Sequence, residues 1–446
     1  MKRHPFALAA LLAVAALALA ACGSSKKSSS GTTTSGTSTT SGSTSVKGNI
    51  KIVGVWTGAE QQHFQAVLNG FKKKYPNVKV SYRSTGDNTP TVLSTAVAGG
   101  NPPDLASVSQ PGLVNDFQKK GALKTMDFAR QTVLANYPRD IEKLGEINGH
   151  LYGLIIKAAN KSTVWYNVKS FKDAGVNPPT NWNDFLKAAK TLKASGIPAY
   201  SIGGADGWTL TDLFENIYLR QAGPQMYDKL SKHQIKWTDP SVKKALTTMG
   251  QVIGDTSNIA GGASGALQTD FPTSVQNVFA ANPKAAEVIE GDFVPGVLSK
   301  NPLKPVTGYN VYAFPAVGSS GQNVVEGGGD ELMMFRDTPA IRALVKYLST
   351  GEAQTIWAKF GGYSAPAKTV PASAYPDAIT RKTATAIGKA EVFRFDLSDL
   401  QPASFGGTVG QGEFKIFQDF LRSPSNVNGI ASSLESAAAK AYAAGK

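Results

Sequence analysis

Asp206, Asp212 and Glu215 crowd into one short stretch of this 446-residue chain. Two carboxylates facing each other across a cleft can protonate and attack a glycosidic bond, and that chemistry needs no local motif. The other routes to catalysis lack their residues. No HExxH, GxSxG or GxxxxGK(S/T) occurs, and the glycines at Gly203-Gly204, Gly261-Gly262 and Gly327-Gly328-Gly329 form no GxGxxG after a strand. His63, His150 and His233 lie far apart without metal-ligand spacing, so no metal site is expected from them.

Cys22 is the only cysteine, and its setting is specific. Lys2, Arg3 and His4 precede an Ala/Leu/Val run, Phe6 to Ala21, too short for the ~20 apolar residues of a bilayer span. The run ends in Leu19-Ala20-Ala21-Cys22, which resembles the lipobox of bacterial lipoproteins. The resemblance implies a signal peptide over 1–21 and acylation of Cys22. Residues 23–47 hold only Gly, Ser, Thr, three lysines and one valine. They cannot bury apolar surface, so 22–47 reads as a disordered tether of roughly 25–30 Å reach. With Cys22 carrying lipid, the folded part has no thiol nucleophile and no disulfide. It must rest on a large core.

About 400 residues remain, more than one core usually supports, so two lobes are expected. The formal charge is +14, or +12 without Lys2 and Arg3. The lysines are dispersed through helix-like segments (Lys72, Lys73, Lys74; Lys187, Lys190, Lys193), as on a solvated face, and no basic block invites nucleic acid.

The elements that must position any site follow from periodicity. Ile50–Trp56, Val78–Tyr82 and Leu105–Val108 read as strands. Phe64, Val67, Leu68 and Phe71 mark a helix between the first two strands, and Thr91–Ala98 a helix between the second and third. The alternation predicts an α/β unit with a largely parallel sheet. The order restarts with strands at 150–156 and 163–166, a helix capped near Asn181, and a strand at Pro198–Gly203. Helices fill 208–253 and the C-terminus. Two α/β halves joined by extended segments follow, with a ligand enclosed between them.

Five stretches in order resemble the extracellular solute-binding proteins of ABC transporters, in the branch that binds carbohydrates. They are residues 96–112 (AVAGGNPPDLASVSQPG), 152–197 (with WYN, AG, PP and W in sequence), 203–220 (GGADGWTLTDLFENIYLR), 290–293 (EGDF) and 327–368. The resemblance implies a periplasmic-binding-protein type II fold, with two lobes joined by a hinge around an interlobe ligand cleft. It places the first lobe at 48–158 and 315–366 and the second at 159–314 and 367–446. The crossings fall near 157–161, 313–321 and 364–368. It also implies a carbohydrate ligand, permease partners in the membrane, a monomer, no cofactor and no catalysis.

Sugar sites combine aromatic faces with planar hydrogen-bonding groups. On segments facing such a cleft the candidates are Trp56, Thr57 and Glu60 after the first strand, Gln110 after the third, and Lys157 ending the crossover strand. Asp206 and Trp208 share a glycine-rich turn, Asp292 and Phe293 repeat the acid–aromatic pair, and Asp330 and Tyr363 lie on the return segments. Several have a packing alternative: Trp56 as core, Glu60 as a helix start, Gln110 as a turn residue, Trp208 as a helix staple. Trp165, Trp182, Trp237 and Trp357 read as packing residues. The net positive charge would also suit an acidic sugar. Polyamines would want a more acidic, aromatic box than these residues assemble, and a secreted glycoside hydrolase stays open as an alternative.

Overall fold

The computed structural model describes residues 45–318 and 323–444. The signal peptide, Cys22 and most of the tether lie outside the described residues. Eleven strands occur among those described: β1 Gly48–Gly54, β2 Val78–Ser84, β3 Leu105–Val108, β4 Glu146–Ile147, β5 His150–Leu151, β6 Gly153–Asn160, β7 Thr163–Asn167, β8 Glu287–Ile289, β9 Tyr309–Ala313, β10 Val324–Met334 and β11 Val392–Phe395.

One sheet has the order β11-β10-β3-β1-β2, with β6 also pairing β10. Here β1 runs parallel to β2 and β3, β11 runs parallel to β10, and β10 runs antiparallel to β3 and β6. The residues of β3, β6 and β10 are buried throughout, because helices cover both faces. The helix Gly58–Lys74 lays Phe64, Val67, Leu68 and Phe71 on this sheet and ends in three lysines, which complement its C-terminal dipole. Ile50, Ile52, Leu154, Leu332 and Leu344 share that core.

The second sheet, β8-β7-β9, is antiparallel throughout, which departs from the largely parallel arrangement expected of both halves. Around it the helix Trp208–Ala222 and the C-terminal helices Gly412–Arg422 and Val427–Ala444 build a second core containing Phe214, Ile217, Phe417 and Leu434. The expected strand at Pro198–Gly203 is absent. Proline donates no ladder bond, and only Tyr200 forms isolated bridges, to Ile259 and Glu287. Asn181 does cap the helix Trp182–Ala194, accepting from the Asp184 amide at 3.0 Å.

The chain passes between the two cores at three places. Only Lys161 and Ser162 separate β6 from β7, and the second passage runs along β10, whose Val324 packs in the second core and whose Leu332 packs in the first. The third lies beyond Tyr375, which still packs in the first core with Ala367, Val370 and Ala374 and accepts the Ala365 amide on its hydroxyl at 3.1 Å. The helix Ala378–Ala386 that follows touches both sides, with Ile379 against Trp165 and Tyr309 and Ala384 against the first core.

Candidate functional site: a cleft between two cores

A cavity of about 500 Å³ opens between the two cores, within the size range of small-molecule sites. Nine of the eleven residues expected at a ligand site line it: Trp56, Thr57 and Glu60; Gln110 and Lys157; Asp206 and Trp208; Phe293 and Asp330.

Asp292 and Tyr363 do not line it. Asp292 takes the Ser364 hydroxyl and gives its amide to the Asn160 carbonyl, so it ties two crossing segments together. Burial pushes its carboxyl up to about 6. Tyr363 donates to the Ile156 carbonyl at 2.8 Å and stacks on Trp357, which makes it a core residue. Trp165, Trp182, Trp237 and Trp357 are buried.

One wall is built around Asp330, at the register shift between Asp330 and Glu331 in β10. Its carboxylate accepts the Trp56 indole N–H at 2.6 Å and the Ser109 hydroxyl at 2.7 Å, with Lys157 Nζ at 3.4 Å. Trp56 is itself 1% exposed and packs on Phe64 and Trp357, so both its readings hold: it is core, and its indole edge positions a cavity residue. Lys157 also bonds Glu60 at 2.5 Å and lies over the Phe293 ring at 5.3 Å. Burial alone would lower the Lys157 pKa, but Glu60 and Asp330 carry it above the ordinary lysine value, so it stays charged. The Gln110 amide oxygen is buried without a hydrogen-bond partner at the cavity wall.

The opposite wall is aromatic. Trp208, Phe271 and Phe293 form a cluster with centroids 5.3–6.0 Å apart, and Trp208 Nε1 points to Asp87 of the first core at 3.4 Å. Asp206 accepts the Phe271 amide at 2.6 Å. Its carboxyl is pushed up to about 7, by burial first and then by the charges of Asp87 and Asp270. Gly207, with φ at +87°, starts the Trp208 helix, and a Cβ there would lie 2.6 Å from that of Phe414. Gly207→Ala is therefore expected to destabilise the protein by roughly 2 kcal/mol and to weaken ligand binding by shifting Trp208. Paired denaturation and titration experiments measure both.

Behind this wall sits a charge cluster that the sequence reading missed. Lys161 Nζ bonds Asp212 at 3.0 Å and makes a close contact with Asp396, and it lies 5.4 Å from the Trp208 ring. The nearest sequence signal is a lysine ending the wholly buried run GLIIKAANK, where a charge needs partners. Asp212, Glu326 and Asp396 bring oxygens within 4.8 Å of one another, a spacing that could hold a metal ion. In this protein Lys161 bonds one oxygen each of Asp212 and Asp396 and the Asn216 amide one of Glu326, which leaves Asp212 Oδ2 and Glu326 Oε1 buried without a partner. Glu215 is fully buried and accepts the Leu397 and Ser398 amides and the Tyr227 hydroxyl. Of Asp206, Asp212 and Glu215, only Asp206 therefore lines the cavity.

The model of the bacterial extracellular solute-binding protein family matches residues 56–355. This chain belongs to that family. Among its relatives, the osmoprotective compounds-binding protein GgtB of Synechocystis sp. is 32% identical over 380 residues, covering 82% of this chain and 86% of that protein. The alpha-glucosides-binding periplasmic protein AglE of Rhizobium meliloti is 31% identical over 381 residues, covering 82% and 81%. The solute-binding fold is also that of AcbH, a bacterial solute receptor with an exclusive preference for β-D-galactopyranose. That match has a TM-score of 0.77 at 20% identity and covers 90% of this chain and all of the other. A chitin oligosaccharide binding protein matches with a TM-score of 0.76 at 20% identity, covering 89% and 99%. The solute-binding chain thus has the two-lobed, type II periplasmic-binding fold. Among the described residues no helix is long and apolar enough to cross a membrane.

Proposed function

We propose that this chain captures a carbohydrate, a mono- or oligosaccharide, outside the cytoplasm and delivers it to the membrane permease of an ABC importer. The observation that carries the reading is the Trp208–Phe271–Phe293 wall, set opposite the unpartnered amide oxygen of Gln110 and beside Asp206. Pyranose C–H faces stack on such rings, and planar polar groups bond adjacent hydroxyls. The relatives agree in kind, since AglE is named for alpha-glucosides and others for multiple sugars and chitin oligosaccharide. An α-glucoside or related oligosaccharide is the reading closest to AglE.

The chain works as a monomer and without a cofactor. It closes by hinge motion at the three passages, and it supplies recognition without catalysis. Acylated Cys22 holds it by its tether to the extracytoplasmic face of the cell membrane.

Thermal unfolding of the full chain against a sugar panel tests the reading. A ligand at ~100 times its dissociation constant stabilises by about 2.7 kcal/mol. A shift with a sugar that is recovered unchanged supports capture. A shift only with non-sugars overturns the carbohydrate, and recovery of a cleaved sugar overturns the binding-only role. Trp208→Ala is expected to weaken the bound sugar by at least ~10-fold in calorimetric titration, as for a central aromatic anchor.

A further inference from the structure

The chain carries 46 lysines and arginines against 32 aspartates and glutamates, yet the cavity reverses that balance. Seven carboxylates line it against two ammonium groups and no arginine. Three of the seven are spoken for: Glu60 and Asp330 by Lys157, and Asp396 by Lys161. The other four are Asp87, Asp206, Asp270 and Asp399. Among the described residues no cationic side chain forms an ion pair with any of them.

Three of the four do accept a neutral donor. Asp87 faces the Trp208 indole, Asp206 takes the Phe271 amide, and Asp270 takes the Thr273 amide. Asp399 has no donor on its carboxylate among the described residues, although it is 5% exposed and lines the cavity. Its oxygens are not among the sealed, partnerless atoms of the interior, so they open onto the cavity, where a ligand donor can reach them. Burial and the charges of Asp396, Asp212 and Asp330 hold the Asp399 carboxyl well above the usual range, against the opposing pull of Lys161, so it keeps its proton in the empty cavity and an ammonium group binding there displaces that proton. The rings nearby already receive cations, with Lys157 over Phe293 and Lys161 over Trp208.

We propose that the solute of this cavity carries a protonated amine, as in an amino sugar or an amino-substituted oligosaccharide, and that the unpaired carboxylates around Trp208 and Lys161 receive its ammonium group. The inference rests on the carbohydrate reading above and narrows its chemical class. It reverses the acidic sugar that net charge alone suggests: the positive charge of this chain lies elsewhere, and in the cavity acidic side chains outnumber ammonium groups seven to two.

The test is calorimetric titration of the full chain with matched pairs sharing one skeleton: glucosamine and glucose, galactosamine and galactose, trehalosamine and trehalose, deacetylated chitobiose and cellobiose. Spermidine and glycine betaine serve as sugar-free cations. In at least one skeleton the amine is expected to bind about tenfold or more tighter than its hydroxyl parent. That advantage is expected to shrink between about 20 mM and 500 mM salt, while the affinity of the parent holds. Asp206→Asn and Asp399→Asn each lower the amine-to-parent ratio, and Asp87→Asn repeats the measurement if either of those fails to fold. Parents binding as tightly as their amines overturn the inference and leave the carbohydrate reading standing. Binding of spermidine or glycine betaine with no sugar overturns both, because the solute is then a cation without a sugar. No binding by any of these compounds also overturns both.

Discussion

Replacing Lys161 with methionine is expected to cost about 3–5 kcal/mol of folding stability, because it strands two buried carboxylates. Lys161 Nζ sits between Asp212 and Asp396, whose side chains are almost wholly buried. Methionine keeps the length and the packing of the side chain and removes only the charge. Burial would raise the Asp396 pKa, but Lys161 together with the Asp399 amide and Ser398 hydroxyl holds it below the usual carboxylate range. Without Lys161 that support is mostly gone. Chemical denaturation of the Lys161→Met variant measures the loss. Adding Asp212→Asn and Asp396→Asn is expected to return a large part of it, since the cost lies in unpaired charge more than in lost contact. A loss below about 1 kcal/mol would mean that water reaches the cluster and the pair is effectively exposed.

The melting temperature is expected to fall as pH rises from 5 to 8.5. Glu331 is fully buried with both carboxylate oxygens unpartnered, wedged against Gly153, where a Cβ would collide with it. Burial pushes its pKa up to about 8. Glu287 is also pushed up to about 8 by burial, even though the Tyr312 hydroxyl donates to it at 2.5 Å. Between the ordinary glutamate value of 4.5 and about 8 the folded chain keeps these protons and the unfolded chain releases them. Stability from this source is therefore complete below about pH 4.5 and is lost as pH climbs to 8, at about 1.4 kcal/mol per pH unit per group. His63 opposes this. Its pKa is lowered by burial and by Lys157, so its contribution is present above the ordinary histidine value of 6.5 and fades below it. Asp206 and Asp212, pushed up to about 7, and Asp292, pushed up to about 6, lose stability in the same direction as Glu331 and Glu287, so the raised acids outweigh His63 and the slope is expected to be negative. Glu331→Gln, neutral at every pH, should flatten the profile by about one proton and raise the melting temperature at pH 8.5. A flat or rising profile would show that Glu331 ionises in place.

Local chemistry was readable in advance, and long-range pairing was not. The strand Leu105–Val108 and the Asn181 cap follow from neighbouring residues, and both stand as read. So does the placement of Asp206 and Trp208 on the cleft, because a glycine-rich turn after a buried segment presents its side chains outward. Asp396, Asp399, Phe271 and Asp270 gave no such sign. Each sits in an ordinary acidic or aromatic context, and each reaches the cavity only because a segment far away in sequence folds beside it. Pro198–Gly203 misled for the converse reason: it is apolar enough for a strand but has no continuous partner to pair with. Tyr363 lies in a stretch that resembles the family's return segment, yet its ring is taken by Trp357.

β10 adds a mechanical constraint. Its first residue, Val324, packs in the second core, and Leu332 and Met334 pack in the first. A rigid rod clamped at both ends lets its two holders turn only if the rod itself bends. Its ladder with β6 breaks register beside Asp330 and Glu331, where Ile156 of β6 is the extra residue, and Asp330 is the residue whose carboxylate gathers Trp56, Ser109 and Lys157 at the cavity wall. Under the hinge motion proposed above, the strand that couples the halves and the wall proposed to meet the ligand are one piece of backbone, and a change of angle between the halves cannot leave those contacts as they were.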